Sequence, residues 1–182
     1  MKRKYESEYE LTSLVKGKKS YRYRGKWYHI DLDAPSYRRF WVCQLLLSLA
    51  AVGLLVGSGL VPSYSMYAFY AFLPYVITYL PVLYMLIHAL FCPLKNEPME
   101  HIAYDQQYGR QKIHVITSLV CCLAAAVTGA VAILLDSGPL TLASFAQPAL
   151  LLLLAGDLLI FWKLLKRIPV SQTDKKPGSA HT

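Results

Sequence analysis

Two long stretches almost without charge constrain this chain more than any other feature of its sequence. Residues 40–92 contain no Asp, Glu, Lys or Arg, and residues 113–162 contain only Asp136 and Asp157. A helix needs about 20 apolar residues to cross a bilayer, so each stretch is long enough for two crossings and a turn. Because lipid offers no water to unpaired backbone groups, such stretches cross as helices. We therefore expect an all-α membrane protein, built as a four-helix transmembrane bundle.

Turn-forming residues divide each stretch into two helices. Gly57–Gly59 and Pro62 interrupt the first stretch, and the sequence Asp-Ser-Gly-Pro at 136–139 interrupts the second. The predicted transmembrane domain spans 40–162, with helices at about 40–60, 66–92, 113–135 and 141–162 and a loop at 93–112. Before it lies a basic, aromatic segment (1–39), and after it a basic tail (163–182) that we expect to be disordered.

The positive charges predict the topology. Of the 19 Lys and Arg residues, 11 lie in residues 1–39, three in the middle loop and five from Lys163 onward, whereas the two short loops, around 61–65 and 136–140, carry none. The positive-inside rule then predicts that both termini and the middle loop lie on the cytoplasmic side of a cell membrane. The first apolar run begins too late and is too long for a cleavable signal peptide, so we expect it to be retained. The short loops are typical of a bacterial protein.

A β-hairpin is predicted within the N-terminal segment. Tyr21–Arg24 and Trp27–Ile30 flank Gly25-Lys26, which suits a two-residue turn. Basic residues near an anionic membrane contribute about 1 kcal/mol each to binding. The hairpin either contacts anionic lipid or only fixes the topology, and we expect no nucleic-acid partner because the membrane accounts for the charge. The candidate lipid contacts are Arg22, Arg24, Lys26 and Trp27.

The middle loop is predicted to contain a short helix between Asn96 and Gly109. Glu97, His101 and Asp105 recur every four residues and would share one face of this helix. That spacing can hold a divalent metal, but a solvated charged face is its commoner meaning. We therefore predict no metal and no cofactor.

The second predicted helix contains two prolines. Pro74 and Pro81 each remove a backbone donor and free a carbonyl one turn earlier, so the helix should kink or loosen. Thr78 lies between them on nearly the same side. This face is either structural or lines a path for a ligand.

Small residues predict close helix packing in two places. Gly53 and Gly57 are four residues apart on the first helix, preceded by Ala50. The third helix carries a longer stripe with the same spacing, formed by Ser118, Cys122, Ala125, Gly129 and Ala132. The sequence leaves open whether these contacts form within one chain or between chains.

Asp157 is the strongest single candidate for a functional residue, because a carboxylate inside a membrane costs several kcal/mol unless it is paired or protonated. Polar groups of the other helices lie at a similar depth from the cytoplasmic end, namely Gln44, His88, Thr117 and Ser118. This layer either fixes helix register by hydrogen bonds, or forms a protonatable site from Asp157 and His88, or acts on a lipid head group at the cytoplasmic leaflet.

The topology resembles that of claudin-like and MARVEL-type proteins and of small multidrug-type transporters. Claudin-like proteins need a large outer loop with a Trp and a cysteine pair, and small multidrug-type transporters place an acid in the first helix. This chain has neither feature, so the resemblance is topological only and assigns no family.

No nucleophile motif, phosphate-binding loop or metalloprotease motif is present, so we do not expect an enzyme. The expected role is a non-catalytic accessory subunit or scaffold of the membrane, with partners among lipids, anionic ones included, and other membrane helices of the same or another chain. The alternative is a small homo-oligomeric transporter or channel that uses Asp157 and His88 for protons or cations. A second alternative is a lipid head-group enzyme.

Overall fold

The structure is a computed structural model, and it describes residues 8–15, 18–63, 68–93, 96–135 and 142–173. It is mostly helical, and four of its helices are long and apolar enough to cross a membrane. Their number, length and composition are those of a multi-pass membrane protein. The helices are α1 (Ala34–Leu60), α2 (Phe69–Leu90), α4 (Arg110–Leu135) and α5 (Ala146–Lys166).

The long helices form a closed ring of neighbours. Helix α2 packs against α4 and α1, and α5 packs against the same two helices, so α2 and α5 lie diagonally across the bundle. A short helix α3 (His101–Tyr104) leads through a π-helical turn (Asp105–Gly109) directly into α4. A short 3-10 turn (Leu142–Phe145) precedes α5.

Polar side chains lie inside the bundle and apolar ones outside it, the reverse of a water-soluble bundle. The side chains of Gln44, Thr78, Gln111 and Ser118 are buried. Large apolar side chains on each long helix are instead exposed, among them Leu60, Phe69, Leu80, Ile113, Val127 and Leu153. A surface of this kind suits contact with lipid rather than with water.

Five short strands cover one end of the bundle, and we call them the cap. Two of them form an antiparallel hairpin, and the other three form an antiparallel sheet in the order β4, β3, β5. The strands are β1 (Tyr9–Val15), β2 (Lys18–Tyr23), β3 (Trp27–Ile30), β4 (Met99–Glu100) and β5 (Val170–Thr173). The three segments that hold the Lys and Arg residues of the sequence therefore meet at one end of the bundle, which we call the cap end.

The cap contains an N-terminal hairpin, but the predicted pairing of Tyr21–Arg24 with Trp27–Ile30 is wrong. Strand β2 pairs with β1, which places Tyr23 opposite Tyr9. Strand β3 pairs with β5 along one edge, and on the other edge Trp27 and Tyr28 pair with β4. Local turn chemistry favoured the short hairpin, whereas strands from distant parts of the chain supply more pairing to β3.

The expectation of a disordered tail is wrong for Val170–Thr173, which form β5. Their backbone pairs with β3 along its whole length, and the Ser171 hydroxyl donates a hydrogen bond of 2.8 Å to Asp31 Oδ1. Residues 174–182 lie outside the described residues. A polar sequence of this kind has no core of its own, so it is ordered here by the edge of another strand.

The helix predicted in the middle loop is also displaced. It begins at His101, with Glu100 in the capping position, and it does not end at Gly109 but continues as α4. Asn96 is not its cap; its side-chain amide donates to the carbonyls of Ile30 and Leu32 and so fixes the loop to the cap. This tertiary role explains why a residue suited to capping lies outside the helix.

Helix α2 runs unbroken through both prolines. Pro81 and Thr78 are buried and Pro74 is half-buried, so this face lies toward the bundle interior. The Thr78 hydroxyl donates to the Pro74 carbonyl at 2.8 Å. That carbonyl is one turn before Thr78, so the hydroxyl does not satisfy the carbonyls that the prolines free at positions 70 and 77.

Candidate functional site

The predicted polar layer forms only in part. Gln44 and Ser118 are fully buried, and the Ser118 hydroxyl donates to Met85 Sδ at 3.6 Å. Neither polar atom of the Gln44 side chain has a hydrogen-bond partner among the described residues. Thr117 is exposed on the outside of the bundle, so its place in the layer is wrong. Neighbouring residues of a helix lie about 100° apart, so Thr117 and Ser118 cannot both face inward.

The structure does not bring Asp157 and His88 together. They belong to α5 and α2, which are diagonal in the bundle, and His88 instead stacks on His114 of α4. Among the described residues, Asp157 Oδ2 is buried without a hydrogen-bond partner. The two residues predicted to share protons therefore lie at separate places, and Asp157 is not bonded to its own bundle.

The outer side of α5 next to Asp157 is open. Gly156 is exposed, and a Cβ added to it would have no atom within 4 Å. Large apolar side chains surround it on the same outer surface, namely Leu152, Leu153, Leu159 and Ile160. Another helix can therefore approach α5 closely at this glycine, beside the carboxylate.

A second polar group lies where α2 meets α4 near the cap end. The His114 ring stacks on Tyr84, with centroids 5.1 Å apart and planes at 8°, and on His88, at 5.6 Å and 29°. Gln107 donates to the His88 carbonyl at 2.6 Å, and Arg110 lies one turn before His114 on the same face of α4. His88 was predicted as a site residue, but His114 and Arg110 were not, because they are far away in sequence.

A buried cluster closes the cap end from inside. The Tyr37 hydroxyl donates to the Pro93 carbonyl at 2.7 Å and lies 3.4 Å from the Tyr108 hydroxyl. The Cys92 thiol lies 3.4 Å from the Tyr108 hydroxyl and 3.7 Å from that of Tyr37. Tyr108 belongs to the π-helical turn, so this turn places a hydroxyl at the junction of three helices. No feature of the sequence pattern indicated this cluster.

The cap holds a network of tyrosines and carboxylates. Tyr9 donates to Glu100 Oε2 at 2.8 Å, and burial, aided by Glu100, raises the pKa of Tyr9 to about 12. The Tyr23 hydroxyl lies 2.8 Å from the Lys26 carbonyl and 3.1 Å from Glu8 Oε2, and burial raises its pKa to about 12. Both hydroxyls therefore stay protonated at neutral pH and act as donors.

Of the candidate lipid contacts, two are exposed and one packs against this network. Arg24 and Lys26 are exposed, and the Trp27 ring packs edge-on against Tyr23 at 5.5 Å. The side chain of Arg22 lies outside the described part of the chain. Whether the exposed basic residues bind lipid stays a prediction.

The proposed metal spacing loses its geometric basis. Glu97 precedes the helix, so Glu97, His101 and Asp105 do not share a helical face. His101 Nδ1 lies 2.8 Å from Glu8 Oε1, a contact across the cap. Within the described ranges, no group of three His, Cys, Asp or Glu side chains is arranged to hold a metal ion.

Comparison of the chain with protein-family models, curated proteins and solved structures finds no match. The functional interpretation therefore depends on the geometry of the site itself.

Proposed function

We propose that this protein is a non-catalytic subunit of a membrane assembly, and that α5 binds a transmembrane helix of a different chain. The Asp157 carboxylate carries the proposal: several buried amide and indole atoms of the described residues also lack a hydrogen-bond partner, but Asp157 Oδ2 is the one carboxylate oxygen among them. A group that fixed the helices of its own bundle would be bonded within that bundle.

The Asp157 side chain is only half-buried, so its carboxylate can turn toward a helix seated on the open side of α5, and that helix supplies the partner that the carboxylate lacks. An unpaired carboxylate in a membrane is costly, and a cation, amide or hydroxyl from another helix removes that cost. Gly156 lets the partner backbone approach without displacing a side chain. The apolar side chains around it provide the packing surface on which helix association in lipid depends.

The orientation of the subunit follows from its charge. We place the cap end in the cytoplasm, because all Lys and Arg residues of the sequence belong to the three segments that meet there. The partner's donor side chain then lies within the cytoplasmic half of the membrane, at the depth of Asp157.

A transporter mechanism has weaker support. It requires proton exchange between Asp157 and His88, and these residues lie on diagonal helices. The enzyme alternative needs both residues at one head group, so the same separation counts against it.

The test is recovery of the partner from the membrane of the organism that makes the protein. A tagged chromosomal copy is solubilised in a mild detergent, and the intact complex is weighed. We expect a stoichiometric foreign membrane protein with the wild type, and loss of most of it with Gly156→Leu, which fills the approach. Asp157→Asn should reduce recovery roughly threefold to tenfold, since interhelical hydrogen bonds contribute about 1 kcal/mol.

The matched control is Ala124→Leu, a small-to-large change on the exposed side of α4. It should leave recovery unchanged, and all variants should melt near the wild-type temperature. A wild-type protein that purifies only as a monomer or homo-oligomer contradicts the proposal. Equal loss of the partner with Ala124→Leu would assign the effect to general damage instead.

A further inference from the structure

A polar groove interrupts the apolar outer surface where α2 meets α4. We define it by Tyr84, His88, Arg110 and His114 and call it the histidine groove. The three rings form one continuous stack, Tyr84 on His114 and His114 on His88. The imidazoles are half-buried and the Tyr84 side chain is exposed, so the stack is reached from outside the bundle.

The position of the groove is that of a lipid head group. His88 lies two residues before the last residue of α2, about 3 Å from the helix end, and Arg110 and His114 lie in the first turns of α4. Both helix ends are at the cap end. The groove is therefore close to the boundary between the hydrocarbon and the interface.

The chemistry of the groove suits a phosphate. Arg110 lies one turn before His114 on the same face of α4, so it brings a permanent positive charge to this face, and a guanidinium presents paired donors that match phosphate oxygens. Each neutral imidazole still carries one N–H donor, and the Tyr84 hydroxyl adds another. Gln107 bonds the backbone carbonyl of His88, which fixes this end of α2 against α4.

The surroundings favour a lipid over a soluble phosphate. The exposed apolar side chains next to the histidines are Ile87, Phe91 and Ile113, and those deeper along α2 on the face of Tyr84 are Leu80 and Ile77. A phosphate held by the groove thus has hydrocarbon-binding surface directly below it. We propose that the histidine groove binds the phosphate of an anionic membrane lipid, with the acyl chains lying along α2 and α4.

This inference is independent of the proposed assembly. The groove lies between α2 and α4, whereas Gly156 and Asp157 belong to α5, diagonal to α2. The two surfaces can therefore be occupied together, and failure of one leaves the other standing.

The experiment measures lipid retention by the full-length protein in detergent. Dioleoyl phosphatidic acid or dioleoyl phosphatidylcholine is added, and native mass spectrometry counts the lipid molecules that stay bound. We expect one phosphatidic acid to be retained in preference to phosphatidylcholine. Arg110→Gln should weaken its binding about tenfold or more, the effect of losing a hydrogen bond to a charged group.

Two further variants make the test specific. His114→Phe keeps a ring against Tyr84 but removes the N–H donor, so it should also weaken binding, and it serves if Arg110→Gln does not fold. Lys112→Gln removes the same charge from the same turn, but Lys112 projects about 200° around the helix from Arg110. It should leave retention unchanged.

Equal retention of the two lipids overturns the inference, and so does equal weakening by Lys112→Gln. Competition with inorganic phosphate identifies the source of the ligand. Retention that persists in excess phosphate supports a lipid site. Complete displacement by the free ion would overturn the lipid assignment and make the groove a site for a soluble phosphate.

Discussion

Helices α1 and α4 carry the same kind of small-residue pattern, yet they use it in opposite directions. In α4 the stripe is buried, and the Cys122 thiol donates to the Leu151 carbonyl of α5 at 2.9 Å, so the two backbones lie close together. In α1, Gly53 is exposed, and neither Gly53 nor Gly57 has any atom within 4 Å of an added Cβ. The pattern thus indicates that a helix can be approached closely, but not which helix approaches it.

A different glycine of α1, Gly59, makes the close contact within the bundle. The Tyr75 hydroxyl of α2 occupies the space where a Cβ of Gly59 would lie, and it donates to the Leu55 carbonyl at 2.9 Å. Tyr79 contacts the same hydroxyl at 2.6 Å. The outward pair at 53 and 57 leaves a face for contacts outside this chain, in keeping with a subunit of an assembly.

The largest expected difference is between two alanines. Ala125→Leu inserts bulk into the buried stripe and should lower the free energy of unfolding by about 1–3 kcal/mol. Ala50→Leu makes the same change on the exposed side of α1 and should leave stability nearly unchanged. Thermal unfolding of the two variants in one detergent measures the difference. If Ala50→Leu is as destabilising as Ala125→Leu, the two stripes do not differ as described.

A smaller effect separates two glycines of α1. Gly59→Ala displaces the Tyr75 hydroxyl and should cost about 0.5–1.5 kcal/mol, the contribution of one hydrogen bond. Gly57→Ala has free space and should be neutral or stabilise the helix by up to about 1 kcal/mol. The sign of the change in melting temperature is the measurement. A Gly59→Ala variant that melts at or above the wild-type temperature would show that the Tyr75 contact does not require Gly59.

The smallest effect concerns pH and distinguishes the cap from the bundle. Bonds from the Ser171 hydroxyl and then from His29 lower the pKa of Asp31. A carboxyl with a lowered folded-state pKa stabilises above its unfolded value, about 3.9, and loses that contribution as pH falls through the folded value. Hydrogen exchange at Val170–Thr173, corrected for intrinsic rates, should therefore lose protection from pH 5 to about pH 3.

Asp31→Asn supplies the control for this measurement. It should show reduced protection in β5 already at pH 5 and little further change on acidification. Buried amides of α4, whose stripe contains no titrating carboxylate or imidazole, should not respond. A uniform loss of protection in cap and bundle would assign the pH effect to the whole fold.

Sequence patterns predicted the four apolar helices, because the absence of charge over 20 residues has few other solutions. They failed where distant segments meet. Strand β3 is completed by residues about 70 positions away in β4 and about 140 away in β5, and no local pattern names such partners. The middle-loop helix was misplaced for the same reason, since Asn96 binds the cap rather than the helix.

The candidate site, too, could be predicted only in part from the sequence. The positions of Asp157 and His88 along their helices could be predicted from the sequence. Which way each side chain points could not, because the rotation of a helix in a bundle depends on its neighbours. The stack on His114 and the lack of a partner for Asp157 are properties of that rotation.

The three-stranded sheet of the cap has a consequence for how the protein is made. Its strands precede the first long helix, separate the second from the third, and follow the fourth. If the four helices cross a bilayer, β3, β4 and β5 can meet only when each helix pair returns to the side on which it began. If one crossing were missed, β5 would lie on the opposite side of the membrane from β3. Because β5 is the last of the three strands in chain order, closure of the sheet requires that the helices between them are already in place, and an unpaired β3 would expose a free strand edge.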